Sequence, residues 1–119
     1  MTGISQHVKQ FVFARSEGYC EVLAAGCDMA ATEIHHRRAR GMGSTKRPET
    51  NYASNLLAIC RRCHLRCEAS RSWALDNGFL VRQSANPADV PVWWRSNWKG
   101  NRKLLVLLDD GGTYREETA

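Results

Sequence analysis

The 119-residue chain has no run of eighteen apolar residues, so no segment is long enough for a membrane-spanning helix. Its first ten residues, MTGISQHVKQ, hold no apolar stretch of the kind that centres a secretion signal, so a cytoplasmic location is expected. Internal repeats and low-complexity linkers are also missing, and the length fits one domain, residues 1–119. Such a domain buries a modest core, and folds of this size often recruit a structural metal. The five cysteines are an odd number and cannot all pair as disulfides. A polar chain without a signal argues against an oxidising compartment, so metal ligation is the better use of four thiols. One more absence is local. Between His35 and Arg47 there is no acid, while Arg37, Arg38, Arg40, Lys46 and Arg47 all fall there. The chain has 17 Lys and Arg against 12 Asp and Glu, so this segment alone carries the net charge of +5. A cluster of that kind would hold a polyanion by counterion release.

Among the elements, Ile4, Val8, Phe11, Val12 and Arg15 fit a helical stripe, with Ser5 as N-cap and Gly18 as stop, predicting a helix over 5–17. Thr32 to His36 is short and partly β-branched, as a strand would be. Gly41, Gly43, Ser44 and Pro48 then break the chain into a loop. The apolar run Leu56-Leu57-Ala58-Ile59 reads as the return strand of a long-looped hairpin. From Arg61 to about Asn77 the pattern is helical, with Gly78 as its end. Phe79-Leu80-Val81 and Leu104 to Leu108 look like strands, the second entering a turn at Asp109-Asp110-Gly111-Gly112. The organisation expected is therefore an N-terminal helix (1–18), a metal-stapled centre (19–77) and a β-rich C-terminal extension (78–119).

Two groups of residues carry chemistry. Cys60-x-x-Cys63 has the spacing of one zinc knuckle, and Cys20 with Cys27 are the upstream partners, with six residues between them in a loop loosened by Gly26. Cys67 lies one helical turn beyond Cys63, and spacing alone leaves it open as a free thiol or as a ligand in place of Cys20 or Cys27. A redox role for the Cys-x-x-Cys pair would want a βαβ context, which is missing. Three of the four histidines, His35, His36 and His64, fall near this motif, and His7 stands apart on the first helix. Successive strand residues point to opposite faces, so one of His35 and His36 can bind a metal while the other faces a substrate phosphate. His64 and Glu68 are four apart on one helix face and can join His35 around a divalent ion. Asn55, just before the second strand, is either an ordinary turn residue or an amide that ties the loop and fixes the histidine strand.

The order His35-His36, Asn55, Cys60-Arg61-Arg62-Cys63-His64 resembles the HNH endonucleases, over roughly residues 15–75. The resemblance implies an α+β fold: a small ββα-metal domain with an N-terminal helix, a four-cysteine zinc site and a C-terminal β extension. It implies His36 as general base, Asn55 as the central motif asparagine, and His35 and His64 as ligands of a catalytic divalent cation. Glu68 stands where related enzymes place a further histidine ligand, and its hard oxygen would favour Mg2+ or Mn2+. The activity implied is hydrolysis of DNA to 5′-phosphate ends, with the five cations from Arg37 to Arg47 lining the DNA path. Similarity to small phage-encoded members adds terminase subunits as partners in genome packaging, in the host cytoplasm. Two other readings use the same residues. One is a non-catalytic zinc-binding nucleic-acid module. The other is a protein-interaction domain docking through Trp93, Trp94 and Trp98, although aromatics at that density more often form core.

Overall fold

A computed structural model describes residues 4–39, 48–96 and 102–117. The described residues form a small α+β structure with three α-helices and two antiparallel sheets. The first helix, α1 (Gln6–Ser16), starts where Ser5 Oγ accepts the Val8 N–H at 3.2 Å. It ends where Glu17 (φ 54°) and Gly18 (φ 83°) turn left-handed and return their N–H groups to Ala14 and Phe13. Val12 of the predicted stripe is buried, but Phe11 is 40 % exposed and rests on the Gly112 turn. A Cβ on Gly112 would come within 2.6 Å of the Phe11 Cβ, and its φ of +85° already favours glycine.

Strands β1 (Glu33–His36) and β2 (Leu56–Ile59) pair antiparallel, Glu33 opposite Ile59 and His36 opposite Leu56. Every β2 residue is buried, which explains its unbroken apolar sequence. Strand alternation divides that run between two cores. Leu56 and Ala58 pack with Val12 and Ala53 beneath α1, and Leu57 and Ile59 face the main core.

Helix α2 (Arg61–Ala69) follows β2 after one residue, Cys60, whose sulfur caps it by accepting the Cys63 N–H. The single helix expected to about Asn77 is in fact two: Ser70, at φ −120° and ψ 70°, separates α2 from α3 (Arg71–Asp76). The bend lets Cys67 of α2 and Ala74 of α3 enter the same core, with the Arg66 guanidinium 4.3 Å above the Trp73 ring. Gly78 ends α3 as expected, and a Cβ there would lie 2.1 Å from the Pro91 carbonyl oxygen. The strand expected at Phe79-Leu80-Val81 does not form. The N–H groups of Phe79 and Leu80 both go to the Ala74 carbonyl, so they close the helix and leave no ladder to build.

The remaining chain is a three-stranded meander of β3 (Val92–Ser96), β4 (Arg102–Leu108) and β5 (Tyr114–Glu116). Strand β3 has no separate signal in the sequence, where its tryptophans read only as an aromatic group. This sheet is no appendage: Val92, Trp94, Leu104, Val106 and Leu108 share the main core with Cys20, Leu57 and Cys63. Beneath it Arg15 and Glu21 form a buried ion pair, Nε to Oε2 at 2.7 Å. Glu21 also accepts from Trp94 Nε1 and the Ala58 N–H, and Arg15 donates to the Ala53 and Leu56 carbonyls. The pair thus locks α1, β2 and β3 together, with most of its donors and acceptors satisfied. No helix among the described residues is long and apolar enough to cross a membrane.

Candidate active site and metal centre

The Cys20–Cys27 loop closes on itself before it meets β2. Tyr19 and Ala30 form an antiparallel bridge, and the Cys20 N–H donates to the Met29 carbonyl at 2.7 Å. Left-handed turns at Leu23, Gly26 and Met29 curl the intervening residues. The result sets Cys20 and Cys27 against Cys60 and Cys63, with all four sulfurs within 4.8 Å of one another. Zinc–sulfur bonds of about 2.3 Å put tetrahedral sulfurs about 3.8 Å apart. Cys27 and Cys60 stand at 3.6 Å, so the set fits zinc. The N–H groups of Asp28 and Met29 point at these sulfurs, as suits thiolates. Burial pushes the Cys27 thiol up to about 12, whereas a hydrogen bond from Cys63 holds Cys20 down near 5. Four such groups ionise together only beside a cation. Cys67 is buried outside the set, its thiol raised to about 12 by burial, so the alternative in which it replaces Cys20 or Cys27 is not what the fold builds.

The histidines lie on the other side of the α2 start. Glu33 and His35 share one face of β1, two residues apart. His35 is buried, with Nε2 2.7 Å from the Phe79 carbonyl. A carbonyl only accepts, so Nε2 carries the proton. Burial also lowers this imidazole to about 4, so it is neutral and Nδ1 keeps its lone pair, the form a metal requires. Its ring meets that of His64 edge-on, 5.0 Å between centroids. His64, in the first turns of α2, has Nδ1 2.8 Å from Glu33 Oε1 and Nε2 3.7 Å from Glu68 Oε1. The second distance is too long for a hydrogen bond. Two ligands about 2.1 Å from one ion lie about 3–4 Å apart, so a cation fits between them. The bond from His64, with help from Arg61, holds the Glu33 carboxyl below its ordinary range.

Donor chemistry here suits a divalent ion, but the gathering is looser than at the thiols. The cysteine set is the only group of three or more ligand atoms so close together among the described residues. His36 points to the opposite face from His35, and its Nε2 lies 3.0 Å from Asn51 Oδ1. With Nε2 donating to that oxygen, Nδ1 is the basic nitrogen. Asn55 is fully buried and ties the loop that follows β1: Oδ1 accepts the Arg38 N–H at 2.7 Å, and Nδ2 donates to the Thr50 and Arg38 carbonyls. This is the loop-bridging amide, not the ordinary turn residue.

The basic segment needs correction. Arg37 is 0 % exposed and cannot line a DNA path. Its guanidinium donates to the carbonyls of Gly78, Ser54, Pro87 and Val90 at 2.8–3.0 Å, joining four segments in the interior. Burial lowers it to about 9, which still leaves it charged at neutral pH. Arg38 is 6 % exposed and donates to the Ala85 carbonyl, so it too faces inward. Arg40, Lys46 and Arg47 lie outside the described residues, as does Trp98. Trp94 is buried and Trp93 is 38 % exposed, so at least half of the tryptophan pair is core and not a docking face.

Two further residues, Glu33 and Asn51, join these histidines in the fold. Glu33 had a usable signal, because two-residue spacing from His35 puts it on the same strand face. Asn51 had none, since its partner His36 is fifteen residues away across a turn. Comparisons with protein-family models, curated proteins and solved structures give no match.

Proposed function

We propose that this chain is a metal-dependent HNH endonuclease that hydrolyses DNA phosphodiesters, with β1, β2 and α2 as its ββα-metal unit. The observation that carries the reading is the edge-to-face approach of His35 and His64 at 5.0 Å, one residue from a separately oriented His36. In this reading His36 Nδ1 takes a proton from water, and the water oxygen attacks phosphorus as the bond to the 3′ oxygen breaks. Asn51 orients the base through Nε2, and Asn55 holds the loop behind it. His35, His64 and the Glu68 carboxylate would hold a divalent cation, Mg2+ or Mn2+, which supplies positive charge to the phosphate and the leaving oxygen. Glu33 fixes the ring orientation of His64. Zinc on Cys20, Cys27, Cys60 and Cys63 staples the unit.

A second reading, a non-catalytic zinc-binding nucleic-acid module, draws on the cysteine cluster being more compact than the histidine set. Work beside phage terminase subunits is a further part of the proposal and rests on the resemblance alone. Cleavage of supercoiled plasmid separates the two readings. The zinc-loaded protein is expected to cut with Mg2+ or Mn2+. His36→Ala should lose about 10²–10⁴-fold in rate while keeping its zinc and its fold. Full cutting by that variant removes His36 as base, and no cutting by the parent with any divalent ion leaves the module.

A further inference from the structure

The exposed arginines differ in how they are neutralised. Arg61 reaches Glu33 at 3.1 Å and Arg62 reaches Asp28 at 3.4 Å. Arg71, at the start of α3, and Arg82, in the loop after Val81, make no ion pair among the described residues, and both are exposed. They line one cavity of about 220 Å³, with Gln83 beside them and Leu80 and Val81 in its wall. Arg37 also lines it, a buried cation whose bonds all go to neutral carbonyls. Among the described residues no acid lines this cavity. Asp76 lines an adjoining one of about 270 Å³ that shares Arg82.

Two exposed arginines on one cavity, with the buried charge of Arg37 behind it, make a field that attracts an anion. Arg71 and Arg82 are free to fork onto its oxygens, as arginine does with phosphate. The size selects further. Sites for drug-sized ligands usually run to about 300–1,000 Å³, so this one suits a single phosphate group better than a whole nucleotide. We propose that the cavity between Arg71 and Arg82, backed by Arg37, is a phosphate-binding site. It accepts a backbone phosphate of nucleic acid or free inorganic phosphate through the same contacts. The two arginines thereby supply anion contacts that the inward-facing Arg37 and Arg38 side chains do not.

The test uses the full zinc-loaded chain and Arg71→Gln/Arg82→Gln, whose exposed side chains leave the core untouched. Calorimetric titration with sodium phosphate is expected to show saturable binding to the parent and at least a tenfold loss in the variant. In a second arm, binding of a short DNA duplex without added divalent ion is followed against salt. Removing one anchored phosphate should flatten the slope of log K against log salt by about 0.9. Loss in the phosphate arm alone assigns the cavity to free phosphate, and loss in the DNA arm alone assigns it to the backbone. Each supports the site. Equal phosphate affinity together with an unchanged DNA slope overturns it. Because neither arm reads cleavage, a chain that never cuts plasmid but passes this test keeps the cavity and discards the nuclease.

Discussion

Cys63 and His64 are neighbours on α2, yet the two clusters they belong to differ in closure. The cysteine set draws two members from a pinched loop and two from the β2–α2 junction, and three of its four residues are buried. The sulfurs lie within 4.8 Å of one another, and the Asp28 and Met29 N–H groups point at Cys60 and Cys27. The histidine set has a buried anchor in His35, but His64 keeps a quarter of its side chain in solvent and Glu68 about two thirds. Structural metal sites are closed, whereas catalytic ones keep a position for water and substrate. Under the proposed function, the contrast gives stability to the thiols and metal exchange to the imidazoles. The same helix start serves both, because a Cys N-cap leaves the next turn free to present His64.

The largest effect expected is at the closed cluster. Cys60→Ser should abolish tight zinc binding and the cooperative thermal transition together, since structural zinc contributes about 10–16 kcal/mol of apparent folding free energy. Cys67→Ala, outside the set, should keep its zinc. Zinc content by mass spectrometry beside circular dichroism checks both, and a folded, active Cys60→Ser protein breaks the division between the clusters.

Next comes the interior cation that reads as a surface one. Arg37→Ala strips four carbonyls of their donor and should lower stability by about 3–5 kcal/mol in denaturant unfolding. The folded fraction keeps the exposed Arg71 and Arg82, so its DNA salt slope should fall by less than that of Arg71→Gln/Arg82→Gln. A reduced slope with unchanged stability would return Arg37 to the surface.

A somewhat smaller effect separates the clusters by pH. His35 titrates near 4 in the fold against 6.5 when free. The folded value is the lower one, so between these limits the unfolded chain binds more protons. Stability from this group is complete above about pH 6.5 and is lost as pH falls toward 4, by about 3 kcal/mol in total. Without added divalent ion, His35→Gln should show a flatter stability profile than the parent over pH 6.5 to 4.5. Parallel profiles would mean that His35 is solvated.

Local signals were legible where the physics was local. Ser5 and Gly18 mark α1 by capping chemistry, and the apolar run of β2 announces a strand buried on both faces. The four cysteines were readable because two short loops suffice to gather them. Ser70 is the N-cap of α3, but its side chain makes no capping bond and no Pro or Gly stands beside it, so the helical pattern reads straight through the break. Phe79 to Val81 has strand composition, but its first N–H groups were already committed to α3. Arg37 was opaque for the same kind of reason. Its four acceptors come from residues 54, 78, 87 and 90, and only the folded chain brings them to one point. Charge runs reveal composition, while burial is decided by distant carbonyls.

The most direct test of one closed and one open metal site is to count ions at each. Zinc-loaded protein is titrated with Mn2+, and free Mn2+ is read by electron paramagnetic resonance. The account predicts one zinc that survives dialysis and one further exchangeable Mn2+ per chain, with His64→Ala losing only the second. Zinc alone, or Mn2+ binding indifferent to His64→Ala, would contradict it.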